Sequence, residues 1–132
     1  DRLVPSLGDE WVWVGVPAYD DYISAEYRLA SEVLGSTGAH VYWLEGAHIR
    51  REIRPQNHPD RIDGLNQLVR AATADLHFVT MVPYREFIGA NGTARERETR
   101  GDGVHLSEAG MAQVAEWLTN DVFDETRGWA TG

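Results

Sequence analysis

Trp11-Val12-Trp13-Val14-Gly15-Val16 decides how this sequence is read. Tryptophan and valine favour extended backbone, and the run has no polar alternation, so a strand buried on both faces is predicted here. Beyond it, Asp20 or Asp21 is predicted to cap a helix whose inner face carries Tyr22, Ala25, Leu29 and Val33. Gly35 and Gly38 end that helix. His40-Val41-Tyr42-Trp43-Leu44-Glu45 reads as a second strand, and a polar loop from Gly46 to Pro59 follows. From about Asp60 a helix buries Ile62, Leu65, Val69 and Ala72, although Gly64 inside it costs about 1 kcal/mol against alanine. Leu76-His77-Phe78-Val79-Thr80-Met81-Val82 is the third strand. Residues 89–101 are charged and poor in apolar side chains, which reads as a loop. A last helix runs from Ser107, its N-cap, to about Asn120 and buries Met111, Val114 and Leu118.

Strands alternating with helices on short connections imply an α/β fold, a parallel sheet with helices on both faces. The 132 residues are one domain's worth of chain. A three-stranded sheet beginning with so apolar a strand leaves a hydrophobic edge open. The expectation is therefore that one or more earlier strands belong beside residues 11–16, and that the chain is the carboxy-terminal portion of a single domain.

The net charge of −9 argues against a nucleic-acid partner, which requires a basic surface. No apolar run is long enough to span a bilayer, so no direct membrane insertion is expected. The absence of cysteine excludes disulfides, thiol catalysis and cysteine-ligated zinc. His40, His48, His58 and His77 follow no ligand spacing, so no metal is expected, although His48 or His58 in the long loop has the chance to face a substrate. The tryptophans Trp11, Trp13, Trp43 and Trp117 read as packing residues, and the run Arg95-Glu96-Arg97-Glu98 as a solvated loop.

Functionally, the richest stretch is Asp102-Gly103-Val104-His105 followed by Leu106-Ser107-Glu108-Ala109-Gly110. A carboxylate three residues ahead of an imidazole, in the connection after the third strand, is the orienter-and-base portion of a Ser-His-Asp device. Function in parallel sheets gathers at that end of the strands. The block from Arg100 through Ser107, with Gly110, resembles the last block of the SGNH (GDSL-type) esterases and acyltransferases. Asp60-Arg61-Ile62-Asp63-Gly64-Leu65-Asn66 is similar to that family's helix ahead of the penultimate strand, and Trp11 to Gly15 to the strand leading into its third block. In style the chain resembles SGNH domains linked to bacterial cell-wall O-acyltransferases.

The resemblance implies a flavodoxin-like three-layer α/β/α fold and an extracytoplasmic setting. It implies action on O-acyl esters, often acetyl groups on carbohydrates, with no cofactor. His105 would be the general base and Asp102 its orienting partner; Gly15, Tyr19 and Arg100 are the candidate substrate-binding residues. The family's nucleophile sits in a Gly-Asp-Ser turn that this sequence lacks, its nearest string being Gly8-Asp9-Glu10. The third block's usual asparagine is also missing from Val16-Pro17-Ala18-Tyr19-Asp20. Ser6, Ser24, Ser31, Ser36 and Ser107 have no strand-to-helix elbow, so the serine is expected from an upstream segment or a separate chain. The alternative is a catalytically inactive SGNH-like domain that binds a carbohydrate or protein. Cover of the 11–16 edge by another strand would favour the enzyme; cover by its own amino-terminal residues would favour the binding domain. A flavodoxin-like cofactor binder is disfavoured, because no glycine-rich phosphate loop follows a strand.

Overall fold

The structure, a computed structural model, describes residues 2–3, 7–8, 11–51 and 55–123. It is an α/β protein divided into two compact units, Asp1–His48 with Glu52–Arg85, and Ile49–Arg51 with Glu86–Gly132.

In the first unit, β1 (Arg2–Leu3) and β2 (Trp11–Val12) pair antiparallel, Arg2 opposite Val12 and Leu3 opposite Trp11. There follow α1 (Pro17–Gly35), β3 (Val41–Leu44), α2 (Pro59–Ala72) and β4 (Val79–Val82). β3 and β4 pair in parallel, in register from Val41–Val79 to Leu44–Val82. Parallel neighbours need a crossover, and α2 supplies it. Val41, Val69 and Val82 are buried at the core of this unit. α1 packs on α2 and β3. There the Arg28 guanidinium grips both oxygens of Asp75, at 2.8 and 3.0 Å, and reaches the Ala72 carbonyl at 3.2 Å. Gly35 lies so close to Phe78 that a β-carbon would sit 2.4 Å from its ring.

Several expectations are corrected here. The run 11–16 is not one doubly buried strand: Val12 is buried, but Trp11 and Trp13 are exposed, and pairing ends at Val12. The chain turns instead, with Val16 N–H donating to the Trp13 carbonyl and Gly15 at φ +102°. Its partner is Arg2–Leu3, from its own amino-terminal residues. Among the described residues the parallel sheet therefore has two strands rather than three. α1 starts at Pro17, which is pre-organised for the first helical position, with Val16 as N-cap. Asp20 lies inside the first turn, where its carboxylate accepts from Gly15 N–H at 2.8 Å. The inner face of α1 is also rotated from expectation. Ala25, Leu29 and Val33 are exposed, Val33 to 63%, while Ser31 is fully buried against Trp43. The inward stripe is set by Tyr27, edge-on to Trp43 at 5.0 Å, and by Ser31 and Gly35, not by the apolar spacing. The helix around Gly64 forms as expected, and the missing side chain has a use: a β-carbon there would meet Val14 Cγ1 at 2.8 Å.

The second unit is helical. α3 (Tyr84–Ile88) spans the division between the units; α4 (Ala94–Thr99) and α5 (Glu108–Trp117) follow, and a π-helical turn continues over Leu118–Val122. Ile88 and Val114 are buried, and Phe87 stacks on Trp117 with centroids 4.3 Å apart. The expected loop 89–101 contains α4. Thr93 caps it by accepting from Glu96 N–H, while the Glu96 carboxylate reaches back to Gly92 N–H, a reciprocal arrangement akin to a capping box. The run 95–98 is not uniformly solvated, since Glu96 is buried. In α5 Val114 is buried as expected, but Met111 is 54% exposed. Among the described residues no helix is long and apolar enough to cross a membrane.

Candidate functional site

Asp102 and His105 sit on the turn between α4 and α5. His105 Nδ1 lies 2.8 Å from Asp102 Oδ2. The other carboxylate oxygen, Oδ1, accepts from the backbone N–H groups of His105 at 2.8 Å and Val104 at 2.9 Å. The bond to the His105 ring, reinforced by those two backbone N–H groups, holds the Asp102 carboxyl well below the usual carboxylate range. An ionised carboxylate only accepts, so Nδ1 carries a proton, and in the neutral imidazole Nε2 then keeps its lone pair. The His105 side chain is 80% exposed, and Nε2 is open to an incoming group.

Local sequence explains why the pair forms. Gly103 adopts φ +79°, a left-handed conformation that glycine takes without strain, and its N–H donates to the Arg100 carbonyl at 2.8 Å. That reversal lets residues 102 and 105 face one another. Behind it Ser107 is the N-cap of α5, accepting from Gly110 N–H at 3.0 Å while its hydroxyl donates to the Glu98 carbonyl at 3.0 Å. Its hydroxyl is thus engaged as a cap, as the sequence implied. Ser31 and Ser36 donate to the Tyr27 and Val33 carbonyls within or at the end of α1. Ser6, Asp9 and Glu10 lie outside the described residues.

The remaining candidates are distributed differently. Arg100 belongs to the same unit as the pair, but it does not flank it as a free cation: 3% exposed, it turns inward with Nη2 3.7 Å from Glu96 Oε1. Gly15 and Tyr19 belong to the other unit. Gly15 borders a cleft of about 440 Å³ with Val14, Asp60, Arg61 and Leu68, and its N–H is already taken by Asp20. Tyr19 is half-buried in the first turn of α1, not on a loop, with its ring 6.3 Å from that of Tyr22.

The other histidines have structural partners. His40 Nε2 meets Thr80 Oγ1 at 2.8 Å, and burial, with His77 nearby, pushes its pKa down. His48 Nε2 meets Asp63 Oδ1 at 2.7 Å, and the same carboxylate pairs with Arg85. His58 caps α2 by accepting from Asp60 N–H. Among the described residues no three acidic or imidazole side chains converge as a metal site.

Arg50 also meets the Asp102 turn, and buried Glu96 binds Arg50 there; neither was expected. Arg50 lies in the loop after β3, and its N–H donates to the Gly103 carbonyl at 2.9 Å. No local pattern marks such a contact; the only sequence cue is a glutamate three residues after Thr93. No family model, curated protein or solved structure matches the chain.

Proposed function

We propose that the His105–Asp102 pair is the base-and-orienter half of an SGNH-type serine esterase or O-acyltransferase site acting on O-acyl esters, acetyl esters of carbohydrates foremost. The observation that carries this reading is the 2.8 Å bond from His105 Nδ1 to a carboxylate that two backbone N–H groups also hold. Such a pair fixes the tautomer and stabilises the imidazolium that forms when Nε2 takes a proton. A serine Oγ would attack the ester carbonyl as its proton passes to Nε2. His105 would then return that proton to the leaving alkoxide, and water or an acceptor hydroxyl would resolve the acyl-enzyme by the same route. The serine comes from a segment outside these 132 residues or from another chain. The same reading assigns β3 and β4 to a larger three-layer α/β/α sheet. Exposed Leu29, Val33 and Leu34 on α1 and Leu44 on β3 support it, as apolar surface that a further layer would cover.

One observation favours the second reading, a non-catalytic binding domain: Trp11–Val12 pairs with Arg2–Leu3, so the edge is covered by the chain's own amino-terminal residues. Fluorophosphonate labelling of the natively purified protein, read by denaturing mass spectrometry, separates the two. Serine label on a longer or companion species, lost in His105→Ala, is the outcome expected of the esterase. A folded wild-type sample without label on any species would overturn the esterase reading and leave the binding domain.

A further inference from the structure

We infer that Arg50 is the positioning residue of the His105–Asp102 pair and that buried Glu96 anchors it. The inference rests on the proposed reading of that pair as a proton-transfer device.

Arg50 touches the turn on both sides of Asp102. Its N–H donates to the Gly103 carbonyl at 2.9 Å, and its Nη2 donates to the carbonyls of Gly101 at 2.9 Å and Arg100 at 3.3 Å. The turn lies flush on it: a β-carbon on Gly103 would stand 2.7 Å from Arg50 Cβ. The same guanidinium donates through Nε to Glu96 Oε2 at 2.9 Å. One planar fork thus serves a carboxylate and two carbonyls together, which an ammonium cannot do with the same geometry.

Glu96 keeps that fork in place. Its side chain has no exposure, and Oε2 also accepts from Gly92 N–H at 3.0 Å. Burial works against its charge. The Gly92 N–H, the Arg50 guanidinium and the nearby Arg100 outweigh it and hold the carboxyl below its ordinary value. A buried carboxylate must stay paired, and Arg50 at 2.9 Å is its nearer cation, Arg100 standing at 3.7 Å, so Arg50 swinging away would cost that charge its hydrogen-bonded cation. The Arg50 backbone is steadied too, by Asn91 Nδ2 donating to the Ile49 carbonyl at 2.9 Å. A loop far from the motif in sequence therefore sets the backbone from which Asp102 and His105 project.

The test reads the His105 ring rather than turnover. The ¹⁵N resonances of the five histidines are recorded for the wild type above the pH at which imidazole protonates, and His105 is assigned by its loss in His105→Ala. The wild type should show His105 as the Nδ1–H tautomer. Arg50→Lys keeps a cation opposite Glu96 but removes the fork, so its two ring nitrogens should shift toward averaged values while the rest of the spectrum is retained. Glu96→Gln removes the charge that anchors Arg50 while leaving residues 101–105 unaltered and should give the same averaging; it decides the matter if Arg50→Lys does not fold. An unchanged Nδ1–H tautomer in whichever variant is folded overturns the positioning role. Averaging in the variants, with no fluorophosphonate label on the wild type, would uphold the positioning while the esterase reading fell.

Discussion

Gly110 in α5 packs against the carbonyl of Thr99 in α4 so closely that a β-carbon would lie 2.2 Å from that oxygen. This contact seats the helix that begins immediately behind His105. Alanine at 110 would gain about 1 kcal/mol of helix propensity. The clash is with backbone, which cannot rotate aside, and overpacking of this kind costs about 1–3 kcal/mol or more. Gly110→Ala is therefore expected to be net destabilising, seen as a lower urea midpoint for the second unit.

Ser107→Ala removes the cap of α5 and its bond to the Glu98 carbonyl. Loss of such a cap costs about 1 kcal/mol. Urea unfolding should show that loss, while any fluorophosphonate labelling of the sample stays at wild-type level. Abolished labelling in a folded variant would show that the hydroxyl has a chemical role.

Ser31→Ala tests the inward stripe of α1. The Ser31 hydroxyl accepts from Trp43 Nε1 at 2.9 Å and donates to the Tyr27 carbonyl. Truncation leaves the half-buried indole N–H without this partner, for about 1 kcal/mol. The expected signature is a modest loss of stability with a shifted tryptophan emission.

Acid should weaken the second unit through Glu96. Its folded pKa lies below the ordinary 4.5, so the unfolded chain takes up the proton first as pH falls. The stabilisation is present above that value and is lost progressively below it, as pH falls through the folded pKa. Asp102, also depressed, acts in the same direction from its ordinary 3.8. Urea unfolding at pH 6, 4.5 and 3 should show a steeper decline for wild type than for Glu96→Gln, which has no carboxyl at that position to protonate. Parallel declines would contradict the assignment.

The parts legible in the sequence were those settled by neighbours along the chain. Val41–Leu44 and Val79–Val82 are short apolar runs between breakers, and Pro59–Ala72 is a long helical period; all three appear, the strands shortened at their ends and the helix beginning one residue before the expected Asp60. Asp102 and His105 are three residues apart around a glycine, so their contact follows from local geometry. Distance along the chain hid the rest. α4 carries no apolar period, and Glu96 is drawn inward by Arg50, 46 residues away, which no window on 94–99 reveals. The phase of α1 was misread because a serine bonded to a tryptophan indole, rather than the leucine and valine stripe, faces inward. Trp11 to Val16 looked like one strand because composition reports apolarity and is silent about the reversal at Gly15.

The Ser107 N–H donates to the Thr99 carbonyl at 2.8 Å, and Gln113 Nε2 reaches Glu98 Oε1 at 2.8 Å. The segment from Arg100 to Leu106 is consequently a small non-covalent ring, knotted shut where one helix ends and the next begins. Its closure entropy is already spent in the folded state, and for so short a loop little slack remains. The two helices and the ring should then behave as one breathing element, with the amide protons of Ser107 and Gly110 exchanging with solvent at a common rate set by the opening of both helices together.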